Sequence, residues 1–237
     1  MRSRSLVCIL LILAVCAAII PPAQSDPTDA AGWYAAGQNL TTAGNYTLAL
    51  QAYQQAIALD PGSAEAWNGV ADVLNRANKY TNDPLGTLRL ALDASNKSLA
   101  LNASDPSAWI NRGQILYNIG YYYQDQLKDQ ATANTYYSEQ LDAFNQAITV
   151  DPDNAEAWFN KGYALCGMGR CTEGVTAFQK VETLDPSYPY LQLNLAEAEQ
   201  LAASETPFYL KYAVEIAMAV IVIAAAALWY LAVRKKY

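Results

Sequence analysis

Between Asn154 and Pro186 the sequence describes two short amphipathic helices joined by a tight turn, and the same pattern returns along the chain. Ala155, Trp158, Gly162 and Leu165 fall on one helical stripe, and Val175, Phe178, Val181 and Leu184 form a second. Gly167 and Gly169 mark the turn between them, and Asp185-Pro186 stops the second helix. Neither helix can bury its stripe alone, so each pair needs neighbours to stack upon. Ala30 to Pro61 repeats the pattern with Trp33, Gly37, Leu40, Ala49, Tyr53 and Ala56. In both units the Trp precedes the Pro by 28 residues; Trp67 follows Trp33 by 34, and Trp109 and Trp158 continue the series.

A 34-residue period of W-x2-L-G-x2-Y, then A-x3-F, then P, is the tetratricopeptide signature. The chain resembles that family from about Ala30 to Ser204. The resemblance implies an all-α fold, a right-handed superhelical solenoid of about four helix-turn-helix units plus a capping helix. The units are expected at 30–63, 64–105, 106–154 and 155–188, and the cap at 189–204, where Leu191, Leu195, Ala198 and Leu201 share one side. The tryptophans should wedge between the helices of a unit and the next unit. Gly37, Gly113 and Gly162 should permit close helix approach, and Pro61, Pro152 and Pro186 should end second helices.

Departures from the period carry information. Trp67 to Trp109 is 42 residues and Trp109 to Trp158 is 49, an excess of 8 and of 15. At 3.6 residues per turn, this predicts about one added turn on each helix of unit 2 and about two on each of unit 3. Asn82-Asp83-Pro84 should break the tip of unit 2. Ala71 stands where Gly is usual, Lys161 where Leu is usual and Ala103 where Pro is usual; Gln140 and Gly174 stand where Ala is usual.

The chain contains no histidine, which removes His bases, His metal sites and His pH switches. Its net charge is −7, and the stretch from Asp26 to Leu210 holds 21 acidic and 9 basic residues. That balance disfavours nucleic acid, which demands a basic face. No phosphate loop, nucleophile elbow, zinc spacing or calcium loop occurs, so no enzyme, cofactor or metal is expected.

Residues 1–25 read as a secretory signal: Arg2 and Arg4, an uncharged run from Leu6 to Ile20, and small residues at Ala23 and Ser25. An uncleaved anchor is the alternative. Residues 212–233 read as a transmembrane helix, since Ile216 to Val233 holds 18 residues without a charge. The tail 234–237, with Arg234, Lys235 and Lys236, marks the cytoplasmic side, so a single-pass protein with extracytoplasmic repeats is expected. Four sequons begin at Asn39, Asn45, Asn96 and Asn102; Asn45 and Asn102 fall in expected turns and are the better glycosylation candidates. Cys166 and Cys171 flank the turn of unit 4, where they could close a disulfide in an oxidising compartment or stand as small apolar residues.

Partner binding in tetratricopeptide proteins comes from the first helix of each unit. By that resemblance the groove carries Tyr34, Gln38 and Thr41; Glu65, Asn68, Asp72, Asn75 and Arg76; Asn111, Gln114, Tyr117 and Asn118; and Glu156, Phe159, Asn160 and Tyr163. Such a lining is amide-rich and aromatic, and suits a protein or peptide partner. The carboxylate clamp of chaperone adaptors has its asparagine matched by Asn111 and Asn160, but its cations are missing, so that mode is rejected. A second candidate surface is the tip of unit 3, where Tyr121, Tyr122, Tyr123, Tyr136 and Tyr137 should cluster. They would either contact a partner or pack across the hairpin. The expected role is a membrane-anchored interaction scaffold. The alternative is a glycosylated structural protein that self-associates through its tips.

Overall fold

The computed structural model describes residues 27–205 and the single position Val220. The expected signal segment and basic tail lie outside the described residues, as does the expected membrane helix apart from Val220. Among the described residues there are nine α-helices and no strand. They are α1 (Ala30–Thr42), α2 (Tyr46–Leu59), α3 (Ala64–Ala77), α4 (Pro84–Leu101), α5 (Pro106–Asp125), α6 (Gln130–Val150), α7 (Ala155–Gly167), α8 (Cys171–Leu184) and α9 (Leu191–Glu205). No described helix is long and apolar enough to cross a membrane. Successive helices pair as hairpins, each hairpin packs on the next, and α1, α3, α5 and α7 also touch in sequence along one inner face.

Short polar side chains set the joints. Each inner helix starts on an N-cap: Asp29, Ser63, Asp105 and Asn154 accept hydrogen bonds from the N–H groups of Gly32, Ala66, Ser107 and Ala157. Each outer helix ends at Asp60, Asn102, Asp151 or Asp185 in extended backbone. The side chain there accepts from the N–H two residues on, at 3.0 to 3.2 Å. Asn102 thus forms the same turn before Ala103 that the aspartates form before proline.

The core is built from alanines and from rings laid against glycine. Tyr53 lies between Gly37 and Gly69; a Cβ added to either would fall 2.6 or 2.5 Å from ring carbons. Phe144 meets Gly113 and Phe178 meets Gly162 in the same way. In unit 2 both partners change together, to Ala71 and Ser95, each fully buried. Trp67, Trp109 and Trp158 pack against the core clusters from the edge. All three are half-buried. Their indole N–H groups donate to the carbonyls of Pro61, Ala103 and Pro152 at the preceding joint. A lysine lies over the ring of Trp67 and another over that of Trp158. Ala66, Ala108 and Ala157, the residue before each of these tryptophans, are fully buried.

The extra residues are distributed unevenly. In unit 2, α3 keeps 14 residues and α4 takes 18; the remainder forms a 3-10 turn, Asn78–Tyr80, and an Asp83-capped start. The expected extra turn on the first helix is absent, because the chain leaves α-helical geometry at Asn78. In unit 3, α5 has 20 residues and α6 has 21, against 13 and 14 in unit 4, two turns longer each. Unit 3 therefore stands roughly 10 Å above unit 4. The last helix, α9, buries Leu191, Leu195 and Ala198 against Phe178 and Val181, while Leu201 is 44% exposed.

Candidate functional site

An open groove of about 560 Å3 runs along the inner face of the first three units to the start of the fourth. Its lining includes Tyr34, Gln38 and Thr41 from α1, Glu65, Asn68, Asp72 and Arg76 from α3, Asn111 and Gln114 from α5, and Glu156 from α7. The i, i+4 spacing places Asp72 and Arg76 on one face, and the Arg76 Nε lies 2.7 and 2.9 Å from the two Asp72 carboxylate oxygens. That hydrogen bonding holds the Arg76 guanidinium above its ordinary range. Among the described residues lining the groove, Arg76 is the one cation, against the carboxylates of Glu65, Asp72 and Glu156. Desolvation pushes the Glu156 carboxyl up. Burial, with Tyr53, Glu65 and Asp105 nearby, likewise raises the Tyr34 phenol.

Several of the expected contact residues are engaged with one another. Asn111 donates to the Asn68 side-chain and main-chain oxygens at 2.8 and 3.2 Å. Asn118 donates to Asn75 at 2.8 Å. Asn75 and Asn111 are each 7% exposed. The two pairs lie seven residues apart on both helices, two turns, and clip α3 to α5. The Asn111 side-chain oxygen Oδ1, in turn, is buried without a hydrogen-bond partner among the described residues. Asn75, Gln114, Tyr117, Asn118, Asn160 and Tyr163 line a smaller hollow of about 270 Å3 further along. Phe159 turns from the groove and packs on Phe178 and Tyr188.

The tyrosines of unit 3 do not form one tip cluster. Tyr123 stacks on Tyr136, ring centroids 5.5 Å apart, and its hydroxyl accepts from Arg89 of unit 2. Both pack on the core that includes Leu88 and Ile119. Tyr121 and Tyr137 face unit 4 instead, each about 6 Å from Tyr117. Tyr122 is half-buried between these directions. Beside Tyr121 and Tyr137 opens a cleft of about 380 Å3, walled also by Tyr117, Gln124 and Gln140 of unit 3, Tyr163 and Met168 of unit 4, and Asn194, Glu197 and Leu201 of α9. Sequence reasoning missed this cleft; the signal for it was the length step between units 3 and 4.

Asn45 and Asn102 are exposed at turns, as are Asn39 and Asn96 on helices. Cys166 and Cys171, the candidate disulfide pair, stand at the two sides of the turn between α7 and α8. Cys171 is buried at the start of α8, and the Cys166 sulfur lies against Gly174, where an added Cβ would fall 2.7 Å from it. Among the described residues no group of three or more Cys, Asp or Glu converges to hold a metal ion.

A tetratricopeptide-repeat family model matches residues 34–98, and a second matches residues 143–173. No curated protein matches the chain by sequence. Solved structures with a similar fold include a thermophilic TPR protein of Thermus thermophilus. It is 18% identical with a TM-score of 0.59, and the match covers 81% of this chain and 99% of that one. The pilF protein of Pseudomonas aeruginosa is 20% identical, with a TM-score of 0.53 over 75% of this chain and 77% of that one. MamA is 19% identical, with a TM-score of 0.52 over 76% and 92%. At these identities the likeness is one of fold.

Proposed function

We infer the function of this chain from the family it belongs to, the tetratricopeptide-repeat proteins, and from the groove on its inner face. The fold supports a protein–protein interaction scaffold, and such domains generally bind protein or peptide partners. The groove of the first three units binds an extended segment of a protein that carries at least one basic side chain. The observation behind this reading is the charge of the lining: Glu65, Asp72 and Glu156 face a single arginine, which Asp72 already holds. Complementary charge at such a surface selects partners and speeds encounter. Tyr34 and Gln38 supply rigid and hydrogen-bonding contact beside those carboxylates.

Photocrosslinking in intact cells tests this. A photoreactive residue at the exposed Gln38 should give a discrete adduct, and one at the exposed Asp93 on α4 should not. Equal adducts at both positions, or none at Gln38, would refute the groove.

The scaffold is membrane-anchored, with its repeats outside the cytoplasm. The uncharged run from Ile216 to Val233 and the basic residues at both ends of the chain support this. Protease added to intact cells should digest the repeats; full protection would overturn the orientation. Self-association through the tips has less to rest on, because Tyr123 and Tyr136 are turned into the seam with unit 2.

A further inference from the structure

The cleft between units 3 and 4 exists because α5 and α6 outrun α7 and α8 by seven residues each, which leaves a step above unit 4. α9 closes its lower side. The walls bring four phenol rings to one space: Tyr117, Tyr121, Tyr137 and Tyr163. The Tyr117 and Tyr121 rings are near parallel at 26°, and the Tyr117 and Tyr137 rings are inclined by 35°. The Tyr137 hydroxyl donates to the Gln124 side-chain oxygen at 2.5 Å, which fixes that ring. Tyr121 and Tyr163 remain about half exposed, at 51% and 52%, so ring surface is open to a ligand. Burial first, and neighbouring tyrosines second, push the Tyr117 and Tyr137 phenols up, so both rings stay neutral at physiological pH. Among the described residues, Glu197 is then the one charged side chain lining the cleft.

An aromatic-walled space with a single carboxylate has a chemical preference. Ring faces are electron-rich and attract cations, most of all weakly hydrated organic cations that yield their water readily. An anion would meet the Glu197 carboxylate and ring faces, with only the neutral amides of Gln124, Gln140 and Asn194 to offset them. We propose that the cleft is a binding site for a small organic cation of the alkylammonium or guanidinium class, held between the tyrosine rings and the Glu197 carboxylate. The cation could arrive as a free molecule or as the end of a partner's side chain.

The test uses the full-length chain and four probes: choline, methylguanidine, 3,3-dimethylbutan-1-ol as the neutral isostere of choline, and glucose. Binding is read by tyrosine fluorescence and calorimetry. The proposal expects saturable binding of choline or methylguanidine, with the neutral isostere about tenfold weaker or worse and glucose without effect. To separate the two sources, a short peptide ending in trimethyl-lysine is compared with free choline. Tighter binding of the peptide assigns the site to a partner's side chain; equal or weaker binding assigns it to a free cation. Glu197→Gln and Tyr121→Ala alter exposed side chains, so the fold should survive, as circular dichroism would check. Each should weaken cation binding about fivefold or more. The proposal is overturned if neither cation binds saturably, if the isostere binds as well as choline, if glucose binds instead, or if both variants bind like the parent.

Discussion

The two boundaries of unit 3 are made of similar residues and end differently. Toward unit 2, the Asn68–Asn111 and Asn75–Asn118 pairs clip the inner helices, and the Tyr123–Tyr136 stack with Arg89 closes the upper part. Toward unit 4, an apolar cluster of Ile110, Phe144, Ala147, Ala157 and Ala164 holds the lower part, and the upper part gapes into the tyrosine cleft. The difference lies in the neighbours. At 18 residues, α4 reaches high enough to cover one flank, whereas α7, at 13, does not reach the other. A ring becomes structural or available according to the length of the helix opposite it.

Removing the shared support should disturb both boundaries together. Phe144→Ala deletes a ring that is 1% exposed and should cost about 3–5 kcal/mol in urea unfolding. Next come substitutions that should separate the two flanks. Tyr123→Ala loses a stacked, hydrogen-bonded ring and should cost about 2 kcal/mol. Tyr121→Ala, on the open flank, should change stability by less than about 0.5 kcal/mol. Equal costs would break the comparison. Asn68→Ala removes the shorter of the two hydrogen bonds made by the buried Asn111 amide, leaving the one to the Asn68 main-chain oxygen, and should cost about 1 kcal/mol in the same assay.

Alkali should act on both boundaries. Burial raises the phenols of Tyr136 on the closed flank and Tyr117 and Tyr137 on the open one. A raised folded-state value favours the neutral form, so the associated stability is present below the unfolded value of about 10 and is lost as pH rises through the folded values. Ultraviolet titration should show phenols ionising late, with unfolding following. Early ionisation with the fold intact would contradict this. The smallest effect is expected at Ser95, whose buried hydroxyl has no hydrogen-bond partner among the described residues. Ser95→Ala should leave unfolding unchanged or slightly later, within about 0.5 kcal/mol.

The helix pairs and the family were legible in the sequence because Trp, Gly, aromatic and Pro positions recur at a fixed spacing. The fate of single side chains was not. Tyr121 and Tyr123 are two residues apart, so they must face different ways on a helix, but which way is covered depends on the end of α4. Asn111 reads as a groove residue until α3 is placed beside it, 43 positions away. Glu197 joins the cleft only through the rotation of α9. The excess of eight residues in unit 2 could be shared in several ways, and the Asn78 turn decides among them.

The groove is the central claim, and selection from a random 12-residue peptide library on the immobilised full-length chain tests it most directly. A parallel selection uses a Glu65→Lys, Glu156→Lys variant, since both side chains are exposed in the groove and their reversal should leave the fold intact. The account predicts that the parent enriches peptides bearing Lys or Arg and that the variant loses them. Enrichment of the same peptides by both proteins, or of acidic peptides by the parent, would contradict it.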